Sequence, residues 1–175
     1  RSRTIKEEEK QMALCLRPTA NDYIVTTSAN LPSPVTIPGG LSLNLTCKKD
    51  AVEIHGLFTL TYTASIPGGA VAGSYVDTTT ISIYQGTTAT GTPIYTTQPL
   101  IRHHYYPANI GDAPVTVIET WKQVLQYIGY PVLAVTENTV NYTIVVTSTV
   151  TGLRPNPTVN LVEYTVSARE IPDCD

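Results

Sequence analysis

The chain has 175 residues, a formal net charge of −3 and only 14% charged residues. This length suits one domain with a substantial core. The charge leaves no basic stripe to neutralise a phosphate backbone, so a nucleic-acid partner is not expected. No run approaches the roughly 18 consecutive apolar residues of a membrane-spanning helix. The composition is instead rich in threonine, which suits pleated sheet surfaces.

An N-terminal arm is predicted over residues 1–40, ahead of a body at 41–175. Residues 4–16 place apolar side chains near one helical face until a proline ends the pattern. A short strand follows, within an extended lead-in that is stiffened by further prolines. The residues of this strand are the candidates for donation to a neighbouring chain: Tyr23, Ile24, Val25, Thr26, Thr27 and Ser28.

The sequence of the body, residues 41–175, predicts a succession of strands bounded by turns that contain Gly, Pro and Asn. The clearest alternation places Val140 and Tyr142 on one face and Asn141 on the other, which is the period of a strand with one wet face. In the last strand the alternation changes phase near Leu161, which predicts a β-bulge. The predicted strands cover residues 41–47, 52–65, 75–84, 93–101, 132–135, 139–150 and 158–169.

One segment, residues 116–129, departs from the strand pattern. Val117, Trp121 and Val124 fall at helical spacing, and Gly129 ends the segment. A short amphipathic helix is predicted here, although the alternation in the first half also fits a strand. The fold class predicted from all segments is an all-β, antiparallel jelly-roll sandwich of about eight strands, with an extended arm and this one helix.

The histidines and carboxylates show no catalytic spacing. His103 and His104 are adjacent, so in a strand they point to opposite faces and do not readily bind one metal ion. A role in a loop or at an interface is predicted for them. A calcium ion in a loop could use Asp77 or Asp112, since such sites need no contiguous motif. The acids are otherwise scattered singly on turns and polar faces, as ordinary solvated residues are: Asp77, Asp112, Glu119, Glu137 and Glu163. No catalytic residue, cofactor or metal ligand is assigned.

The three cysteines, Cys15, Cys47 and Cys174, form an odd set with no close pair. The absence of a C-x-x-C spacing argues against a redox or zinc-ribbon site. In an oxidising environment at least one of them stays free or bonds outside the chain. Cys15 and Cys174 lie near opposite termini, where a neighbouring chain could reach them. Three reduced, packed cysteines are the alternative.

The sequences of four predicted strands show a family resemblance. These are the runs His55-Gly-Leu-Phe-Thr-Leu-Thr-Tyr-Thr63, Thr80-Ile-Ser-Ile-Tyr84, Asn141-Tyr-Thr-Ile-Val-Val-Thr147 and Val162-Glu-Tyr-Thr-Val-Ser-Ala168. Over residues 41–169 the chain resembles the jelly-roll subunits of bacterial spore surfaces, namely spore appendage fibre subunits and exosporium proteins of tumour-necrosis-factor-like fold.

The resemblance implies a self-associating subunit in an extracellular location, on the cell or spore surface. In the appendage fibres an N-terminal connector is crosslinked to other subunits through cysteines. By that resemblance Cys15 would bond to Cys47 or Cys174 of another copy. This chain departs from the family pattern in having one arm cysteine instead of several, and in the predicted helix at 116–129.

Two functions therefore compete. The first is a non-catalytic structural subunit that forms a filament with copies of itself through strand donation and intersubunit disulfides, because an unpaired strand edge is a template for another chain. The alternative is a carbohydrate- or receptor-binding module that uses Tyr95, Tyr105 and Tyr106. That alternative requires these tyrosines to cluster in one exposed groove.

Overall fold

A computed structural model describes residues 20–26, 30–31, 34–37, 40–152 and 157–172, with side chains described from residue 34 onward. The described chain is all-β, and its strands form two antiparallel sheets. No helix in this part of the chain has the length and apolar character to cross a membrane. Several residues named above lie outside the described ranges: Cys15, Thr27, Ser28, Cys174 and the segment 4–16.

The strands fall into two length classes: five have 13 to 16 residues, and the other six have two to seven. They are β1 (Ala20–Thr26), β2 (Asn30–Leu31), β3 (Val35–Thr36), β4 (Leu41–Asn44), β5 (Ala51–Ile66), β6 (Gly73–Gln85), β7 (Tyr95–Thr96), β8 (Leu100–Tyr106), β9 (Val115–Gly129), β10 (Thr139–Gly152) and β11 (Thr158–Ile171).

The strand order is that of a jelly roll. Sheet A has the order β1-β11-β5-β9, with β2 also paired to β11. Sheet B has the order β3-β10-β6-β7, with β4 also on β10 and β8 also on β6. Successive long strands therefore pass between the sheets, except that β6 and β8 are neighbours in sheet B. The predicted antiparallel jelly-roll sandwich of about eight strands is confirmed.

The core lies between the two sheets and follows the period-two alternation of the sequence. From β5 the inward residues include Phe58, Leu60 and Tyr62, which are completely buried. They belong to one apolar cluster with Ile81 of β6 and Val146 of β10. Removal of this apolar surface from water is the main force that holds the sheets together.

The predicted helix at 116–129 is wrong, because these residues form strand β9. Every residue of β9 pairs with β5, from Val115 opposite Ile66 to Gly129 opposite Val52. Trp121 and Leu125 point into the sandwich, whereas Val124 is exposed. The apolar spacing that predicted a helical face therefore comes from residues on both faces of a strand.

Two further strand predictions need correction, and one irregularity is confirmed. No strand forms at 132–135. The strand predicted at 93–101 is replaced by β7 and by β8, which continues to Tyr106. The predicted bulge is present, because the pairing of β11 with β5 shifts register between Leu161 and Glu163.

The described part of the arm contributes edge strands to the sandwich. Of the donated-strand candidates, Tyr23, Ile24, Val25 and Thr26 lie in β1 and pair with β11. Strand β2 also pairs with β11, and β3 pairs with β10. The arm strand thus lies at one edge of sheet A, and β9 lies at the other.

Candidate functional site

A group of four interacting titratable side chains lies where β8 and β9 face each other across the sandwich. We call it the His104 cluster, and it comprises Asp77, Arg102, His104 and Glu119 together with the neighbouring Trp121. Strand β6 supplies Asp77, β8 supplies Arg102 and His104, and β9 supplies the other two. The register of β6 with β8 places Asp77 opposite Arg102 and Tyr75 opposite His104.

His104 lies between two carboxylates. Its Nε2 atom hydrogen bonds to Oδ2 of Asp77, and its Nδ1 atom lies 2.9 Å from Oε2 of Glu119. A ring protonated on both nitrogens donates to both carboxylates, whereas a neutral ring donates to one of them. Asp77 and His104 are buried, and Glu119 is partly exposed at the edge of the sandwich.

Arg102 completes the charge balance of the cluster. Its Nη2 atom lies 3.5 Å from the same Oε2 atom of Glu119. The guanidinium carbon also lies 4.3 Å from the centroid of the Trp121 ring, which is a cation–π contact. Two carboxyl groups, one guanidinium and one imidazole can therefore balance without an external ion.

Aromatic rings enclose the imidazole. The ring of Tyr62 stacks on His104 with centroids 4.1 Å apart and planes 10° apart. Tyr75 contacts both His104 and Tyr106: its ring centroid lies 5.8 Å from that of His104 and 5.5 Å from that of Tyr106. Burial, followed by the nearby Tyr106 and Glu119, raises the pKa of Tyr75 to about 12. These rings exclude water from one side of the cluster.

Burial raises the pKa of Asp77 above its ordinary value, because removal from water disfavours the charged form. The hydrogen bond to His104 and the charges of His104 and Arg102 oppose this shift. Oδ1 of Asp77 has no hydrogen-bond partner among the described residues. Both nitrogens of His104 are taken by carboxylates, so the ring has no free nitrogen for a substrate.

The structure corrects three predictions about these residues. Asp77 and Glu119 are not singly solvated acids, since both contact His104. Asp77 lies in a strand and is buried, so it is not a loop ligand for calcium, whereas Asp112 is exposed. His103 and His104 point to opposite faces as predicted, but they lie in β8 instead of a loop, and His104 is part of the core. In the described ranges no group of three or more His, Cys, Asp or Glu side chains is placed to hold a metal ion.

A second acidic group lies at the turn after β4. Glu170 accepts hydrogen bonds from the backbone nitrogens of Thr46 and Cys47 and from Oγ1 of Thr46. Asp50 accepts a bond of 3.1 Å from the nitrogen of Cys47. Burial and the hydrogen bond to Asp50 raise the pKa of Glu170. The acids thereby fix the turn that presents the exposed thiol of Cys47.

The three tyrosines of the binding-module hypothesis do not form one groove. Tyr105 is largely exposed, while Tyr106 is buried against Tyr75. Tyr95 is half-buried, with its ring centroid 5.5 Å from that of Tyr127. A shallow groove of about 340 Å³ lies elsewhere, beside Leu41 and Tyr142, and the described residues that line it include no Asp, Glu, His, Lys, Arg or Cys.

Comparisons with known proteins identify no family. No protein-family model matches the sequence, and no curated protein matches it. Among solved structures, a chain in the structure of the Gx strain of infectious bursal disease virus is 13% identical in sequence to this one. The alignment covers 89% of this chain and 41% of that chain, with a TM-score of 0.20. The VP2 subviral particle of infectious bursal disease virus is 14% identical, with 90% and 42% covered and a TM-score of 0.19.

The chain thus spans about two fifths of the length of these viral chains. At such TM-scores the likeness does not establish a shared function. The fold assignment depends instead on the strand order and register described above.

Proposed function

We propose that this chain is a structural, non-catalytic subunit that assembles with copies of itself by exchange of the N-terminal strand β1. The observation that carries the proposal is the position of β1 at the outer edge of sheet A. Among the described residues β1 pairs only with β11, from Ala20 opposite Arg169 to Thr26 opposite Glu163. Because this pairing is made by backbone groups, β11 of a second copy offers β1 the same partners.

The titratable groups support a structural role. The His104 cluster joins β8, which belongs to sheet B, to β9, which belongs to sheet A. Its groups bond to one another and leave neither nitrogen of His104 for an external molecule. Buried and charge-balanced clusters of this kind fix how elements pack.

The finer part of the proposal concerns crosslinks and location. Cys47 is exposed on a turn that Glu170 and Asp50 hold in place, so its thiol is open to a cysteine of another chain. We place the assembly in an extracellular setting at the cell or spore surface, where disulfides persist. The support for this location is the resemblance of the strand sequences within residues 41–169 to those of spore-surface subunits.

An engineered disulfide distinguishes strand exchange from pairing within one chain. Asp22 and Ser167 are register partners in β1 and β11. We expect Asp22→Cys/Ser167→Cys, in a background with Cys15, Cys47 and Cys174 replaced by serine, to form covalent multimers on non-reducing gels. Bands that run only as monomers would show that β1 pairs in its own chain and would reject exchange.

A truncation supplies an independent test of the same proposal. Deletion of residues 1–30 removes β1, and we expect it to abolish the assemblies seen in electron micrographs of the full chain. Unchanged assemblies after the deletion would reject the arm as the connector. Comparison of the wild type with Cys47→Ser on reducing and non-reducing gels then tests the proposed crosslink.

A further inference from the structure

Among the described strands β9 pairs only with β5, so they leave its outer backbone edge open on the side of sheet A opposite β1. At about 3.4 Å per residue its fifteen residues extend roughly 50 Å. Its pairing with β5 is regular from Val115 to Gly129, without a bulge. It contains no proline, and its charged residues are Glu119 and Lys122. The devices that commonly protect sheet edges are therefore sparse here.

Strand β8, which belongs to sheet B and faces β9 across the sandwich, differs from β9 in length and charge. Strand β8 has only seven residues and carries Arg102 and His103. On β9 the outward face instead carries three exposed apolar residues, namely Ile118 at 65% exposure, Val124 at 66% and Ile128 at 55%. An open edge beside an exposed apolar row is suited to a second strand with a matching row.

When two copies of β9 are aligned antiparallel with Trp121 opposite Trp121, residues of similar character lie opposite each other. On the outer face this reversal places Ile118 opposite Val124 and Thr120 opposite Lys122. Further along this face, Thr116 lies opposite Gln126. Each outer pair is therefore apolar with apolar or polar with polar, and no two like charges are opposed.

The inner face matches in the same way. Reversal about Trp121 places Glu119 opposite Gln123 and Val117 opposite Leu125. Centring the reversal on Gln123 instead places Lys122 opposite Val124, and centring it on Lys122 opposes two lysines. Directly opposed like charges destabilise a strand pair, and mismatched pairs forfeit side-chain packing.

We propose that β9 pairs antiparallel with β9 of a second copy about a two-fold axis at Trp121. The pairing joins the two A sheets into one continuous sheet, and it covers Ile118 and Val124 of both chains. This interface deepens the proposed self-association and rests on it, but it uses the edge of sheet A opposite β1. The chain therefore has two separate contacts with copies of itself.

A crosslinking experiment on the full-length chain tests this register. In a background with its own cysteines replaced by serine, Thr120→Cys lies on the same face as its two-fold mate, on a diagonal of about 7–8 Å. We expect a short bis-maleimide to convert Thr120→Cys into covalent dimers. The matched control is Thr61→Cys, since Thr61 is the register partner of Thr120 one strand further from the edge.

Each Thr61 lies about 4.8 Å further from the interface than Thr120 does, so the two Thr61→Cys thiols are about 10 Å further apart and beyond the reach of the short reagent. Dimers with Thr120→Cys but not with Thr61→Cys support the interface. Equal crosslinking of both variants, or none with Thr120→Cys in samples that assemble, overturns it. The readout is independent of Asp22 and Ser167, so the failure of either contact is seen separately.

A charge variant tests the same interface through the same crosslink. In the Thr120→Cys background we expect Ile118→Lys/Val124→Lys to abolish the covalent dimers, because it places lysines beside each other across the two-fold axis. Ile110→Lys/Val135→Lys adds the same charge at loop residues that are 97% and 92% exposed, and it should leave the covalent dimers intact. Covalent dimers retained by the β9 variant, or lost in the loop control, contradict the proposal.

Discussion

Asp77 has an unusual position for an aspartate, since it is buried and bonds to His104 through only one of its carboxyl oxygens. An asparagine at this position can donate to Nε2 of a neutral His104 ring, whose Nδ1 then donates to Glu119. The buried charge disappears while the bonds to His104 remain. An alanine instead leaves Nε2 without a partner.

We therefore expect Asp77→Asn to retain nearly the wild-type free energy of unfolding at neutral pH. Asp77→Ala should lower it by about 1–3 kcal/mol, because a buried polar atom loses its partner. Urea unfolding followed by circular dichroism measures both values. Equal losses in the two variants would contradict the role given to the hydrogen bond.

The pH dependence of the same pair follows from the raised pKa of Asp77. Since its folded pKa lies above the unfolded value of 3.8, the protonated acid is favoured in the folded state. We expect the wild type to lose stability relative to Asp77→Asn as the pH rises from about 3.8 through the raised pKa. Urea unfolding at a series of pH values measures this difference, and a constant difference would contradict it.

Glu53 shows the opposite shift on the outer face of sheet A. Arg169 donates a hydrogen bond from Nε to its carboxylate, and Nε2 of His55 lies 2.7 Å away, so the pKa of Glu53 lies below its usual 4.5. We expect Glu53→Gln to cost about 0.5–1 kcal/mol at pH 7, as befits partly exposed partners. The stabilisation is present above pH 4.5 and is lost as the pH falls through the lowered pKa.

The matched control for Glu53 is Glu163→Gln. Glu163 is exposed and has no ion pair in the part of the chain that the structure describes. Thermal unfolding at pH 7 and at pH 3 should separate the two variants only at the higher pH. A difference that persists at pH 3 would mean that packing, not charge, is lost in Glu53→Gln.

At the scale of elements, the position of β9 at a sheet edge predicts which of its backbone amides exchange quickly with solvent. In an antiparallel edge strand, backbone groups alternate between the partner strand and solvent. In dilute, unassembled chains we expect alternate amides of β9 to exchange quickly, while both sets of β5 amides are protected by β11 and β9. Assembly through β9 should protect the fast set, as measured by hydrogen exchange with NMR detection. Fast exchange that survives assembly would exclude pairing at this edge.

The same strand shows where sequence patterns are ambiguous. The alternation of β10 predicts its span closely, and the phase change near Leu161 predicts the bulge, because both features are local. In β9 the outer face carries Ile118 and Val124 as well as polar residues, so inward and outward apolar residues together imitate helical spacing. Pairing with β5 decides the outcome, and this contact is not visible in the local sequence.

The His104 cluster could not be predicted for a related reason. Asp77 lies 27 residues from His104, and Glu119 lies 15 residues from it. The pairing of β6 with β8 and the stacking of β8 on β9 together bring the three side chains into contact. The sequence signal that existed was alternation, which separates His103 from His104 and assigns one histidine to each face.

At the scale of the whole molecule, the two proposed contacts lie on opposite edges of sheet A. Exchange of β1 joins a chain to one neighbour, and pairing of β9 joins it to another. When both contacts form, copies link in an alternating series, and neither contact alone extends beyond a small oligomer if the exchange is reciprocal. The two proposed contacts together would therefore build a filament instead of an isolated dimer.

This arrangement predicts that a chain with a disabled β9 edge caps growth. Ile118→Lys/Val124→Lys retains β1, so it can join an assembly through strand exchange and then offers no second contact. We expect the mean length of assemblies in electron micrographs to fall as the fraction of this variant in a mixture with wild type rises. The loop variant Ile110→Lys/Val135→Lys should leave length unchanged at every fraction. If the β9 variant also leaves length unchanged, growth does not pass through the β9 edge, and the alternating series is wrong.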